Sequence, residues 1–127
     1  LLMSRSAIKL MKKKKYGRII NIGSIHEKIE PIGGAIYAAS KNALASISRV
    51  CAKEFYNFNV TVNSIGLSAY DTQMMRSLDE KSLSNLLGGL TVKSISELKE
   101  IVNILDFFID NNSYSVTGQT IYLGGVN

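Results

Sequence analysis

Three short apolar runs separated by long stretches of helical periodicity constrain this chain more than any other feature. Arg18-Ile19-Ile20-Asn21-Ile22-Gly23 closes on Gly23-Ser24, Val60-Thr61-Val62-Asn63-Ser64-Ile65 is rich in β-branched residues, and Gly118-Gln119-Thr120-Ile121-Tyr122-Leu123 ends at Gly124-Gly125. Runs of this length and composition read as buried strands. Residues 35 to 56 and 98 to 109 lie between them with three- and four-residue apolar spacing, long enough to serve as crossover helices. Strands joined by such helices are parallel, which gives an α/β class with three parallel strands and flanking helices.

The helical segments carry their own signals. Met3, Ala7, Ile8, Leu10 and Met11 predict a helix over 3 to 15, stopped at Gly17, while 25 to 34, with His26, Glu27, Pro31 and Gly33-Gly34, reads as a loop. Ala39, Ala43, Ile47, Val50, Cys51 and Phe55 mark the expected core face of the longest helix. Residues 66 to 90 predict short helices, with Gly88-Gly89 as a hinge between them. Ser94 and Glu97 have capping-box spacing, and Leu98, Ile101, Val102, Leu105 and Ile109 form a stripe expected in the core.

Composition removes several function classes. At 127 residues, 46% hydrophobic and 20% charged, the chain has room for one modest domain and is not globally disordered. No apolar stretch approaches the roughly 20 residues of a membrane span, so no membrane partner is expected. Cys51 is the single cysteine and His26 the single histidine. Neither a disulfide nor a metal site is expected, a reducing cytoplasm is the natural setting, and Cys51, spaced with Ile47 and Phe55, reads as a core thiol. His26 reads as a solvent-facing loop residue. The net charge of +5 includes Lys12 to Lys15, which suit the negative pole of a helix end and stay solvated there. With no nucleic-acid module around them, no nucleic-acid partner is expected.

Ligands of open α/β sheets bind beyond the carboxyl ends of the strands. Ser24 stands at the first such end, and the helix that follows carries Tyr37 and Lys41 one turn apart, on one face. A phenol ordinarily titrates near 10, and a neighbouring ammonium favours its ionised form. Tyr37 beside Lys41 is therefore a candidate acid/base, and the Ser24 hydroxyl a candidate donor to the same carbonyl or alcohol oxygen.

Taken jointly, these blocks resemble the short-chain dehydrogenase/reductase family, and within it the 3-oxoacyl-carrier-protein reductase branch. Gly17 to Ser24 resembles the strand leading to that family's active-site serine, and Tyr37-Ala38-Ala39-Ser40-Lys41 matches its Tyr-x-x-x-Lys, 13 residues after Ser24. Val60 to Ile65 and Thr117 to Leu123 resemble its next and last strands. The resemblance implies NAD or NADP as cofactor and hydride transfer at a carbonyl or alcohol carbon. It makes Tyr37 the acid/base, Lys41 the holder of the nicotinamide ribose, and Ser24 the group orienting the substrate oxygen. It also places Thr72 at a phosphate contact and Tyr70 where the backbone meets the carboxamide, with Leu67-Ser68 replacing the usual Pro-Gly.

None of the ten glycines is separated from another by one residue, so Gly-x-Gly-x-x-Gly is absent. Together with the Leu1-Leu2-Met3 start, this leads to the expectation that the chain is the C-terminal half of a Rossmann-like doubly wound sheet, one partial domain whose dinucleotide-binding half lies upstream. The alternative is a truncated, non-catalytic relative acting as an oligomerisation subunit. The family's subunit contacts imply a homo-oligomer built through the helix carrying Tyr37 and the helix before the first strand, which the small residues Ala35 to Ala45 suit.

Overall fold

A computed structural model describes residues 2–126. Helix α1 (Leu2–Lys14) leads into strand β1 (Gly17–Ser24), a short helix α2 (His26–Ile29) and the long helix α3 (Ala35–Phe55). Strand β2 (Val60–Leu67), helices α4 (Gln73–Arg76), α5 (Glu80–Gly88) and α6 (Leu98–Ile109), and strand β3 (Thr120–Tyr122) complete it. The sheet order is β1-β2-β3 and both pairings are parallel, with Gly17 opposite Val60, Ser24 opposite Leu67, and Gly66 opposite Tyr122. The outer edges of β1 and β3 carry no further strand among the described residues.

β2 is the buried centre because its side chains are covered on both faces, and its β-branched residues suit such a strand. Val60 and Val62 pack with Ile8, Ile19 and Ala52, and Met11, Cys51, Phe55 and Phe58 close the margin of this cluster. Side chains alternate along a strand, so Ser64 faces α3 as well. There Ser48 accepts hydrogen bonds from Asn21 Nδ2 at 2.8 Å and Ser64 Oγ at 2.9 Å, and donates to the Leu44 carbonyl at 2.9 Å. One hydroxyl thus uses its donor and both acceptor positions, which offsets the cost of burying it between α3 and two strands.

The entry to β3 is held by side chains of β2. Asn63 donates to the Val116 carbonyl at 2.8 Å and accepts from the Gln119 N–H at 3.0 Å, while Thr117 Oγ1 accepts from Val62 N–H at 3.0 Å. Gly118 sits between them at φ 72°, a left-handed conformation that favours glycine.

Several elements differ from the sequence expectation. The buried face of α3 runs through Ala38, Ala45, Ser48 and Ala52, and leaves Ala39, Ala43 and Val50 exposed, because the polar Ser48 is the residue the sheet needs at the centre. Cys51 is half-buried at the margin of the cluster, where burial pushes its thiol up. Helix α6 begins at Leu98, with Glu97 and Glu100 forming the capping box, so Ser94 is not its cap. The cause lies just upstream: Ser96 N–H donates to the Ala69 carbonyl at 2.8 Å and holds the chain extended there. The core residue of α6 is Phe108, 1% exposed, whereas Leu98, Val102 and Ile109 are 71%, 50% and 50% exposed. Residues 25 to 34 are not all loop, since α2 forms around the buried Glu27. Lys15, at φ 49°, makes the left-handed stop after α1, and Gly17 opens β1 against Met11. Lys12 does more than meet solvent: its ammonium lies 5.1 and 4.6 Å from the ring centroids of Phe55 and Phe58. Gly88 and Gly89 end α5, Gly89 capping it through the Asn85 and Leu86 carbonyls. Among the described residues no helix is long and apolar enough to cross a membrane, and no cluster of three or more His, Cys, Asp or Glu side chains could hold a metal ion.

Candidate active site

The carboxyl end of β1 is tied to β2 by its backbone and to β3 through a side chain. Ile25 N–H donates to the Leu67 carbonyl at 3.0 Å, continuing the pairing with β2 one residue past Ser24. The chain then turns into α2 and brings the Glu27 carboxylate back over the sheet. Glu27 Oε1 accepts from the Ser24 N–H at 3.0 Å, and Oε2 accepts from the Tyr122 hydroxyl at 2.8 Å. Two glycines in register make room for this link, Gly23 beneath the Glu27 carboxylate and Gly66 beneath the Tyr122 ring; a Cβ on either would collide with the side chain above it. Burial, and then donation to the Glu27 carboxylate, push the Tyr122 phenol up to about 12.

This yields a titration. An unfolded tyrosine ionises near 10, so the neutral Tyr122 phenol contributes stability that is complete below about pH 10 and is lost as pH rises towards 12. Burial raises the Tyr70 phenol as well, so tyrosinate absorbance should show a late phase from which Tyr122→Phe removes one phenol and leaves Tyr70. A late phase of unchanged amplitude in that variant means that the Glu27–Tyr122 link is wrong.

Ser24 itself is buried, and its hydroxyl meets His26 twice. His26 N–H donates to Ser24 Oγ at 3.2 Å, and the ring Nδ1 lies 3.2 Å from the same oxygen. The His26 ring stands edge-to-face with Tyr37, centroids 5.2 Å apart and planes at 81°. Helix α3 aims Tyr37 outward, 42% exposed, and brings Lys41 over the same ring, Nζ 5.7 Å from its centroid. Lys41 Nζ also donates to the Ile22 carbonyl of β1 at 3.2 Å, which docks the helix turn against the strand end.

Ser24, Tyr37 and Lys41 therefore converge at one strand end, with His26 between the serine and the tyrosine. Tyr70 and Thr72 lie beyond the end of β2, and no hydrogen bond joins them to that group among the described residues. Thr72 is the N-cap of α4 and accepts from Met75 N–H at 3.2 Å. Tyr70 is buried beside Ser96, its hydroxyl has no hydrogen-bond partner among the described residues, and burial pushes it up. Ser68, in the departing Leu67-Ser68 pair, backs onto Gly124, and its buried hydroxyl likewise has no partner among the described residues.

Two residues of the site escape the sequence pattern. His26 is not a solvent-facing loop residue: it is half-buried, which lowers its pKa, and it touches both Ser24 and Tyr37. Its position two residues after the serine was the available signal. Glu27 had none, because its partner Tyr122 is 95 residues away.

Comparison with known proteins agrees with this architecture. The family model described as short chain dehydrogenase matches residues 1–83. The 3-oxoacyl-acyl-carrier-protein reductase FabG of Buchnera aphidicola (subspecies Baizongia pistaciae) is 37% identical over 123 residues, covering 97% of this chain and 50% of that protein. FabG of Pseudomonas aeruginosa is 32% identical over the same coverage, 97% of this chain and 50% of the relative. A crystal structure from Agrobacterium tumefaciens, assigned as a gluconate dehydrogenase, superposes with a TM-score of 0.89 at 27% identity, over 96% of this chain and 49% of that one. The chain spans about half the length of the curated relatives it matches. Strand order, the Ser24, Tyr37 and Lys41 convergence and the family match agree: this chain belongs to the short-chain dehydrogenase family.

Proposed function

We propose that these residues supply the catalytic half of an NAD- or NADP-dependent oxidoreductase that interconverts a carbonyl and an alcohol. A 3-oxoacyl thioester is the substrate class that the FabG relatives suggest. The observation carrying this reading is the meeting of Ser24, Tyr37 and Lys41 at the carboxyl end of β1, with the phenol open to solvent.

In the reducing direction the substrate oxygen receives hydrogen bonds from the Ser24 hydroxyl and the Tyr37 phenol. As its carbon gains hydride, the oxygen takes the Tyr37 proton, and the phenolate left behind is stabilised by the Lys41 ammonium. Carbonyl, hydride and proton together make the alcohol, and a bound nicotinamide would supply the hydride and end oxidised.

The residues present fit such a cofactor by the chemistry of their donors. Lys41 gives one of its three N–H groups to Ile22 and keeps two for a ribose diol. Thr72 accepts from Met75 and keeps its own hydroxyl hydrogen for a phosphate oxygen. The backbone at Tyr70 would meet the carboxamide. The free outer edge of β1 suits pairing with a further strand, in line with a complementary dinucleotide-binding half. Exposed Ala39, Ala43 and Val50 on α3, with Met3 and Leu10 on α1, suit a homo-oligomer contact. The lone Cys51 suits a reducing cytoplasm.

The test is NADH or NADPH consumption by the complete protein given a 3-oxoacyl thioester. Turnover with either cofactor is expected. A folded complete protein that oxidises neither, with the thioester or with small ketones, overturns the reading in favour of a non-catalytic subunit.

A further inference from the structure

We propose that His26 is a positioning residue that sets the direction of the Ser24 hydroxyl hydrogen, turning it outward as a donor to the substrate oxygen. This rests on the oxidoreductase reading above. A serine oxygen has one hydrogen to give and two lone pairs to fill. One lone pair is filled by the His26 backbone N–H at 3.2 Å, and Nδ1 of the same residue lies 3.2 Å away.

The ring then decides the rest. When Nδ1 carries the proton it fills the second lone pair, and the Ser24 hydrogen is left for the substrate. When Nε2 carries it, Nδ1 is an acceptor and takes the Ser24 hydrogen for itself. Burial lowers the ring's pKa and so favours its neutral form, in which both tautomers are open to it. A carbonyl oxygen needing a donor favours the first tautomer, and ligand binding therefore moves the proton from Nε2 to Nδ1. The edge-to-face packing on Tyr37 holds the ring in place while this happens, so the serine and the tyrosine are aligned by one side chain.

Isosteric substitutions separate this role from packing. Asparagine places an amide at the position of Nδ1 and can either donate or accept, aspartate places only acceptors there, and leucine places neither. His26→Leu and His26→Asp are expected to lower kcat roughly ten- to a hundredfold, less than the loss of an oxyanion donor outright, and His26→Asn to recover most of it. Packing alone predicts that Asn and Asp behave alike.

The readout independent of turnover is the 15N spectrum of the His26 ring in the complete protein, assigned by its disappearance in His26→Asn. Adding oxidised cofactor with a 3-oxoacyl thioester, a pair that cannot react, should raise the Nδ1-protonated signal in the parent and not in Ser24→Ala. Equal turnover of His26→Leu and the parent, or a ring spectrum unchanged by the ligand and by Ser24→Ala, overturns the proposal. If Tyr37→Phe abolishes turnover while these tests fail, only the role of His26 falls; if Tyr37→Phe also turns over normally, the oxidoreductase reading falls with it.

Discussion

Replacing Tyr37 with phenylalanine is expected to lower kcat of the complete protein by roughly 10²–10⁴-fold, the usual contribution of a positioned general acid. The fold should not notice. The phenol ring is 42% exposed, and its hydroxyl makes no hydrogen bond among the described residues, so the Tyr37→Phe variant would keep the packing on His26 and the place under Lys41 while losing only the proton. The measurement pairs NAD(P)H oxidation with urea unfolding on the same samples. A fall in turnover at unchanged unfolding midpoint assigns the proton to Tyr37. Unchanged turnover removes Tyr37 from the chemistry, and a fall accompanied by a lower midpoint makes the residue structural. Because the substituted group acts on the transition state, kcat and kcat/KM should fall together.

Much of this site is local in the chain, and that is why it is legible. Tyr37 and Lys41 share one turn of a helix, Ser24 ends a strand whose β-branched partner is equally recognisable, and the resemblance of these blocks, in order, to one family joins them into one site. Face assignments are harder. An apolar count along α3 selects Ala39, Ala43 and Val50, yet the sheet takes the neighbouring row because Ser48 can satisfy Asn21 and Ser64 at once. Hydrophobicity carries no information about that exchange. Likewise, the stripe on α6 contains Leu98, Val102 and Ile109, yet the residue the fold buries is Phe108, and apolar spacing along the helix does not separate the two rows. His26 and Glu27 read as loop polarity for a similar reason: what gives them roles is the approach of Tyr37 and of Tyr122, and only the folded sheet supplies the second.

Glu27→Leu should be the most damaging single change to stability near the site. It removes the acceptor for two groups, the buried Ser24 N–H and the part-buried Tyr122 hydroxyl, and since an orphaned buried donor costs about 1–3 kcal/mol and a part-buried one less, a loss on the order of 1–4 kcal/mol is expected in urea unfolding of the complete protein. Tyr122→Phe alone should cost less, since Glu27 keeps Ser24. The double variant distinguishes a clamp from a mere contact. With Tyr122 already lacking its hydroxyl, Glu27→Leu leaves only one donor orphaned, and the two changes should fall short of additivity by roughly 1–3 kcal/mol. Strict additivity, or a Glu27→Leu variant as stable as the parent, would show that the two strand ends are not linked through this carboxylate. The same variant carries a catalytic consequence. Glu27 fixes the backbone of Ser24 while Gly23 and Gly66 leave the space for it, so freeing that backbone should lower kcat even where the protein remains folded, as the hydroxyl loses the fixed origin from which it reaches the substrate oxygen.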